Sequence, residues 1–286
     1  MDRTDIKALQ EEFQQFLDIF QGYVESNSEM TWKPLDGFLP VVFRAILRRQ
    51  FEGLQAISQL VATGNGFVAG PLLRPACEEL IWAKYLTSIS GEDAEQLVLQ
   101  FALDERCRSL AAQDKFAGRP VTEALGLLPF LEESKNIRKN WLERIGDLGT
   151  RLDWPERSER GGRLPRMKWL AKATEEQSTY DFIYHATSRF VHFSVSELLR
   201  RAWGNPWAGT LSVNSIHFRD YWAHFCLHYS LLLFIRTYEA LVSGDALIEI
   251  DEAKSDKIQE VMERAGKFGI PPMITAEELA WPTELT

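Results

Sequence analysis

Tyr221-Trp222-Ala223-His224-Phe225-Cys226-Leu227-His228-Tyr229-Ser230-Leu231-Leu232-Leu233-Phe234-Ile235-Arg236-Thr237-Tyr238-Glu239-Ala240-Leu241-Val242 is the stretch that decides the fold. Its centre, Leu231 to Ile235, is apolar enough to raise the question of a membrane span. His224, His228, Arg236 and Glu239 interrupt it, however, and no uncharged run approaches the roughly 18 residues a bilayer requires. Read as a helix, it is the central core helix of a soluble bundle.

Helical spacing extends outward from it through most of the chain. Leu9, Phe13, Phe16, Phe20 and Tyr23 mark a first helix, opened by Thr4 or Asp5 as N-cap. Pro40 suits the first turn of a second, which carries Phe43, Leu47, Phe51, Leu54, Ile57 and Val61 and stops at Thr63-Gly64-Asn65-Gly66. A third covers about residues 71 to 89. Ser90-Gly91-Glu92-Asp93 opens a fourth, which ends before Gly118-Arg119-Pro120. Weaker patterns occupy about 122 to 146, and Asp153 to Pro165 reads as the clearest loop. Two long helices follow, about Glu175 to Trp203 and Ser212 to Ser243, then a late amphipathic piece at about 251 to 267. Convincing strand alternation and fixed-interval repeats are both lacking. The expectation is an all-α fold, an irregular bundle of about seven to nine helices with two long core helices in the C-terminal half. Residues 1–244 form one domain in this reading, and 245–286 an acidic C-terminal helix and tail.

Composition agrees. With 286 residues, 45% of them hydrophobic, the chain is not disordered, and 12 Pro and 18 Gly exclude collagen-like and low-complexity classes. The net charge is −9, but residues 245–286 hold ten acids against four bases. The remaining body, with 28 bases and 31 acids, is no histone-like nucleic-acid binder, although a local basic patch can still grip phosphate. Cys77, Cys107 and Cys226 are odd in number and far apart, so neither a disulfide framework nor a cysteine zinc site is suggested, and a reducing compartment fits. The charged start Met1-Asp2-Arg3-Thr4-Asp5-Ile6 lacks a secretory apolar region, which makes a cytoplasmic location the expectation.

Three regions carry candidate chemistry. On the third helix Arg74 and Glu78 share a face with Ile81 and Tyr85, and Trp82 adjoins it, so the charges require partners. On the next long helix Asp181, His185, Ser188, His192 and Ser196 form a polar strip opposite Phe182, Ile183, Ala186, Phe190 and Phe193. Toward the C-terminal end of that helix Val191, Val195, Leu198 and Leu199 flank the strip from the second side and draw His192 inward or into a cleft, where Ser188, Glu78 or Arg74 would partner it. His217, His224 and His228 also form a stripe, but no Glu-x-x-His pair accompanies it, and neither a metal nor another cofactor is expected. From Arg151 to Lys172 seven basic residues, among them Arg157, Arg160 and Arg163, face three acids, a patch suited to phosphate or an acidic partner. Glycine phosphate loops, nucleophile elbows, His-Glu-x-x-His and dinucleotide fingerprints are missing.

Leu72-Leu73-Arg74-Pro75-Ala76-Cys77-Glu78-Glu79-Leu80, then Tyr180 to Tyr184 and Ser188-Arg189-Phe190-Val191-His192-Phe193-Ser194, resemble the bacterial family of unknown function DUF5677. Its pattern is an Arg-x-x-x-Glu helix and a Tyr-rich helix ending in Ser-x-x-x-His. The likeness spans about residues 40 to 240. It implies an all-helical domain and singles out Arg74, Glu78, Ser188 and His192, without supplying an activity. A looser likeness links the chain to the metal-independent helical ribonucleases of bacterial toxin and defence systems. Their Arg and His stand about five or six positions apart on one helix, whereas Arg189 and His192 are three apart.

Two functions follow as expectations. The first is a helical binding or regulatory protein whose Arg74, Glu78, Ser188 and His192 cluster forms a pocket or interface. Arg189, Tyr85, His185, Arg157, Arg160 and Arg163 would then contact the ligand, RNA or another phosphate-bearing molecule, and a protein partner or second copy is allowed for. The second is an endoribonuclease-like enzyme using His192 as acid or base and Arg74 or Arg189 on the phosphate. Both expect Arg74, Glu78 and His192 to converge beside the loop from Asp153 to Pro165.

Overall fold

The computed structural model describes residues 3–28, 37–155, 164–205, 209–243 and 252–280. The first half runs through α1 (Arg3–Ser28), α2 (Leu39–Ala62), α3 (Gly66–Ala69), a 3-10 turn (Gly70–Leu72), α4 (Leu73–Ser88), α5 (Gly91–Ala117), α6 (Arg119–Ala124) and α7 (Leu128–Arg151). There follow α8 (Met167–Ala173), α9 (Gln177–Val191), α10 (Val195–Leu199), the strands β1 (Ala202–Asn205) and β2 (Thr210–Val213), α11 (Arg219–Ser243), α12 (Glu252–Gly266) and α13 (Ala276–Ala280). The fold is all-α. Its thirteen described helices exceed the seven to nine expected because α3, α6, α8, α10 and α13 have seven residues or fewer. Fewer than two turns is too short for a hydrophobic period to register.

The stretch from Tyr221 to Val242 lies within α11, the axis of the molecule. It packs against α1, α2, α3 and α4. Its length and composition would suit a membrane crossing, but 56% of its most apolar window is buried inside the protein. Phe234 sits at the centre of an aromatic cluster, with ring centroids 5.0 Å from Phe20 and 5.7 Å from Phe16, both edge-on, and 6.1 Å from Phe51. Every apolar position read from the second helix, Phe43 through Val61, is buried. Gln50, in the same buried row, donates to the Ala76 carbonyl and the Thr237 hydroxyl, both at 3.1 Å, and so ties α2 to α4 and α11. Gly66 lets α3 touch α11, because a Cβ there would lie 2.9 Å from the Ala223 nitrogen. The α4–α5 boundary is as read: the Ser90 hydroxyl accepts from the Asp93 amide at 3.2 Å.

The expected long helix from Glu175 to Trp203 is broken. Residue His192 leaves the helical region (φ −115°, ψ 159°), and Ser194 caps a separate α10 by accepting from the Glu197 amide at 3.4 Å. Downstream, Ala202 pairs with Val213 and Asn205 with Thr210 in an antiparallel hairpin, so α11 begins at Arg219 rather than Ser212. Sequence signals for both corrections exist. Ser194-x-x-Glu197 is a capping box, and Gly204-Asn205-Pro206 with Gly209 is turn chemistry that a helix rejects.

The C-terminal segment folds back on the body. Val261 and Ala265 of α12 join the core beside α1, where Arg264 pairs with Glu12 at 2.8 Å. Residues Gly269 to Met273 then run along α11. The His224 Nε2–H donates to the Gly269 carbonyl (3.1 Å), the Tyr229 hydroxyl to Pro271 (2.9 Å) and the Tyr221 hydroxyl to Pro272 (2.7 Å). Buried Arg200 fastens the end of this strap. It bonds Glu278 at 2.5 Å and the Met273 carbonyl at 2.9 Å, and lies over the Trp222 ring at 4.7 Å.

Burial lowers the pKa of His224 and holds that of His228 down at about 4, with the neighbouring His224 adding to the effect. Between the unfolded value near 6.5 and pH 4 the unfolded chain therefore binds protons that the folded chain refuses. Stability should fall as pH is lowered through this window. Melting curves from pH 7.5 to 4.5 check it: the melting temperature should drop, and the drop should be smaller in His228→Phe than in the parent.

Candidate functional site

Where α8 gives way to α9 the chain turns in three residues, Thr174 to Glu176. Glu175 takes a left-handed conformation (φ 62°) rare for a residue with a side chain, and the Glu176 amide bonds the Ala171 carbonyl at 2.6 Å. This tight turn aims Glu176 into the protein, where it is 0% exposed. Its Oε1 receives Lys84 Nζ of α4 at 2.7 Å and Arg236 Nη2 of α11 at 2.5 Å. Arg236 also donates to the Thr179 hydroxyl at 3.0 Å. One buried carboxylate thus joins α4, α9 and α11. Its position at the start of α9 is electrostatically favourable as well, since helix N-termini attract negative charge.

With Glu176 opposite Lys84, Tyr180 and Tyr184 step along α9 toward the start of α4. The Arg74 Nε bonds Glu78 Oε1 at 3.0 Å, and both side chains are about one-third exposed. Tyr184 covers the guanidinium, with the Arg74 carbon 4.6 Å from its ring centroid, and the Tyr180 ring lies 5.5 Å from Tyr184. Burial alone would lower the Arg74 pKa, but the hydrogen bond and charge of Glu78 outweigh it and raise the value. Tyr180 is raised by burial, with the Glu78 charge second. Cys77 lies behind this pair. Burial, then Glu176 and Glu78, push its thiol up to about 12, so at neutral pH it is protonated and unreactive.

The expected cluster forms only in part. Arg74 and Glu78 meet, as anticipated, and Ser188 is half-buried, its hydroxyl oxygen without a hydrogen-bond partner among the described residues. His192 does not go inward. Because α9 ends at Val191, the residues Val195, Leu198 and Leu199 never flank it on a continuous helix, and it is exposed at the cap. His185 is exposed too. Arg189 is half-buried near Glu197, whose carboxyl is raised by burial against the charges of Arg200 and Arg189. Tyr85 is buried and accepts from Trp154 Nε1 at 2.6 Å, so it anchors the start of the loop. Arg157, Arg160 and Arg163 lie outside the described residues. Among those described, no three His, Cys, Asp or Glu side chains gather as metal ligands.

Sequence reasoning missed Glu176, Lys84 and Arg236. The row Glu176, Tyr180, Tyr184 at four-residue steps was the available signal, since it puts all three on one face of α9. No local signal links that row to Lys84, 92 positions away. An exposed His192 should be dispensable for folding: His192→Ala should change the unfolding free energy by no more than about 0.5 kcal/mol in urea denaturation. A loss above about 2 kcal/mol would show instead that the imidazole is partnered.

Residues 41–206 match a family described as a family of unknown function, DUF5677. No curated protein and no solved structure matches the chain. The matched region runs from α2 through β1, and so includes the Arg74–Glu78 pair, Glu176, Tyr180 and Tyr184. With more than half its length covered, the chain belongs to the DUF5677 family.

Proposed function

We propose that the protein is a non-enzymatic binding or regulatory module that holds a phosphate-bearing ligand at the α4–α9 seam. The observation that carries this reading is the state of Arg74. Among the described residues its Nε alone is hydrogen-bonded, to Glu78, and no protein group accepts from its terminal nitrogens, while Tyr184 covers one face of the guanidinium. Those nitrogens can donate to a phosphate oxygen in the geometry guanidinium groups favour. Tyr184, 39% exposed, and Tyr180 beside it offer ring faces on which a base can stack. The remaining cations of the seam, Lys84 and Arg236, already share Glu176 and serve to hold the helices.

Catalysis finds less support. A general acid or base has to come within hydrogen-bond reach of the group it serves. His192 is exposed at the end of α9, two helical turns beyond Tyr184, while Glu78 is engaged by Arg74.

A labelled single-stranded oligoribonucleotide, incubated with purified protein in chelator, tests both points. Binding should be saturable and leave the RNA intact. Tyr184→Ala should cost about 1–3 kcal/mol of binding, the worth of one stacked base. Arg74→Lys should weaken binding as well, because a point charge does not reproduce the guanidinium fork. Cleavage that disappears in His192→Ala would overturn the reading in favour of an enzyme. Binding indifferent to Arg74→Lys and Tyr184→Ala would overturn the site.

A further inference from the structure

Another face of α4 carries a second charged pair amid apolar surface. Glu79, Trp82 and Leu86 lie roughly a quarter turn round the helix from Arg74 and Glu78. They line a cavity of about 330 Å³ between α2, α4 and α5. Ile46 and Leu97 close its sides, and Trp82 meets Phe101 edge-on with ring centroids 5.4 Å apart. The volume is at the lower end of the roughly 300–1,000 Å³ typical of small-molecule sites, and the lining is mostly apolar with few polar groups, as such sites are.

The polar groups set the sign of the ligand. Glu79 has a side chain 9% exposed and pairs with Arg49, whose own side chain is 69% exposed. Glu105 stands exposed on the rim. Among the described residues two carboxylates therefore face one cation, and that cation lies mostly in water. Burial pushes the Glu79 carboxyl up, and Arg49 together with a hydrogen bond from Gln50 opposes it only in part. An anion entering here would be desolvated against Glu79 and would face Glu105. A cation attached to an apolar body would instead neutralise Glu79 from inside the cavity, and the aromatic walls would favour it further. Arg49 could then return its guanidinium to solvent at little cost, being more than two-thirds there already.

We propose that the α2–α4–α5 cavity binds a small amphiphilic amine, an aromatic or branched apolar body bearing one protonated nitrogen, with Glu79 as the counter-ion. This site is separate from the Arg74–Tyr184 seam and stands or falls independently of it.

Titration calorimetry with tryptamine tests the proposal, with N-acetyltryptamine as neutral and indole-3-acetate as anionic comparison. Tryptamine should bind saturably, and both comparison compounds at least tenfold more weakly. Glu79→Gln, which keeps the side-chain volume, should abolish the preference for the amine. Should Glu79→Gln fail to fold, Leu97→Trp fills the cavity with Glu79 intact and should remove tryptamine binding. Arg74→Lys and Tyr184→Ala should leave it unchanged. Equal binding of the three compounds, undiminished binding in Glu79→Gln or Leu97→Trp, or no tryptamine binding at millimolar concentration would each overturn the proposal.

Discussion

A fully buried carboxylate held by two cations from two other helices is the constraint on which the packing of α4, α9 and α11 rests. Glu176 is inaccessible to solvent, while Lys84 and Arg236 are each about one-third exposed. Removing such a carboxylate from water costs several kcal/mol and is tolerated only where opposite charge and hydrogen bonds meet it. Meeting it requires α4, α9 and α11 to lie at one relative position. That position brings Tyr180 and Tyr184 over Arg74 and Glu78. It also brings Phe190 against Gly70, where a Cβ would approach the ring within 2.6 Å. The strained turn at Glu175 is the local cost of aiming the carboxylate inward.

Helix α4 is consequently an unusual element. One face presents Arg74–Glu78 to α9, another presents Glu79 to Arg49 of α2, and the buried residues Leu73, Cys77, Leu80 and Ile81 occupy the far side of the helix. The consecutive acids Glu78 and Glu79 thus serve different neighbours, because successive residues of a helix point about 100° apart. Ion pairs this exposed add little net stability. The Tyr184 ring over Arg74 and the Arg49 partner of Glu79 hold these polar groups in place.

Much of the fold was legible because it depends on local periodicity. The apolar row from Phe43 to Val61, the Ser90 cap and the burial of the Tyr221–Val242 stretch all follow from spacing and end signals. What escaped was of two kinds. A broad apolar pattern continues across Val191-His192-Phe193, and the polar strip on it implies one helical face. The Ser194 cap ended that face and left His192 in solvent. Long-range pairing escaped for a different reason. Glu176 next to Glu175 looks like an ordinary solvated helix start, and only the tertiary approach of Lys84 and Arg236 reveals a buried charge. The Arg74–Glu78 half of the site was recoverable because its two residues are one turn apart. Its tyrosine half required knowing that α9 runs back along α4.

The most direct measurement is the stability of a charge-stranding series in urea. Lys84→Met with Arg236→Met leaves the buried Glu176 carboxylate without a cation, and the unfolding free energy should fall by about 3–5 kcal/mol. Adding Glu176→Leu removes the stranded charge and should restore at least half of that loss, because the seam is then an apolar contact. A double variant that loses less than about 1 kcal/mol, within the range of an ordinary surface ion pair, would contradict the account. So would a triple variant no more stable than the double.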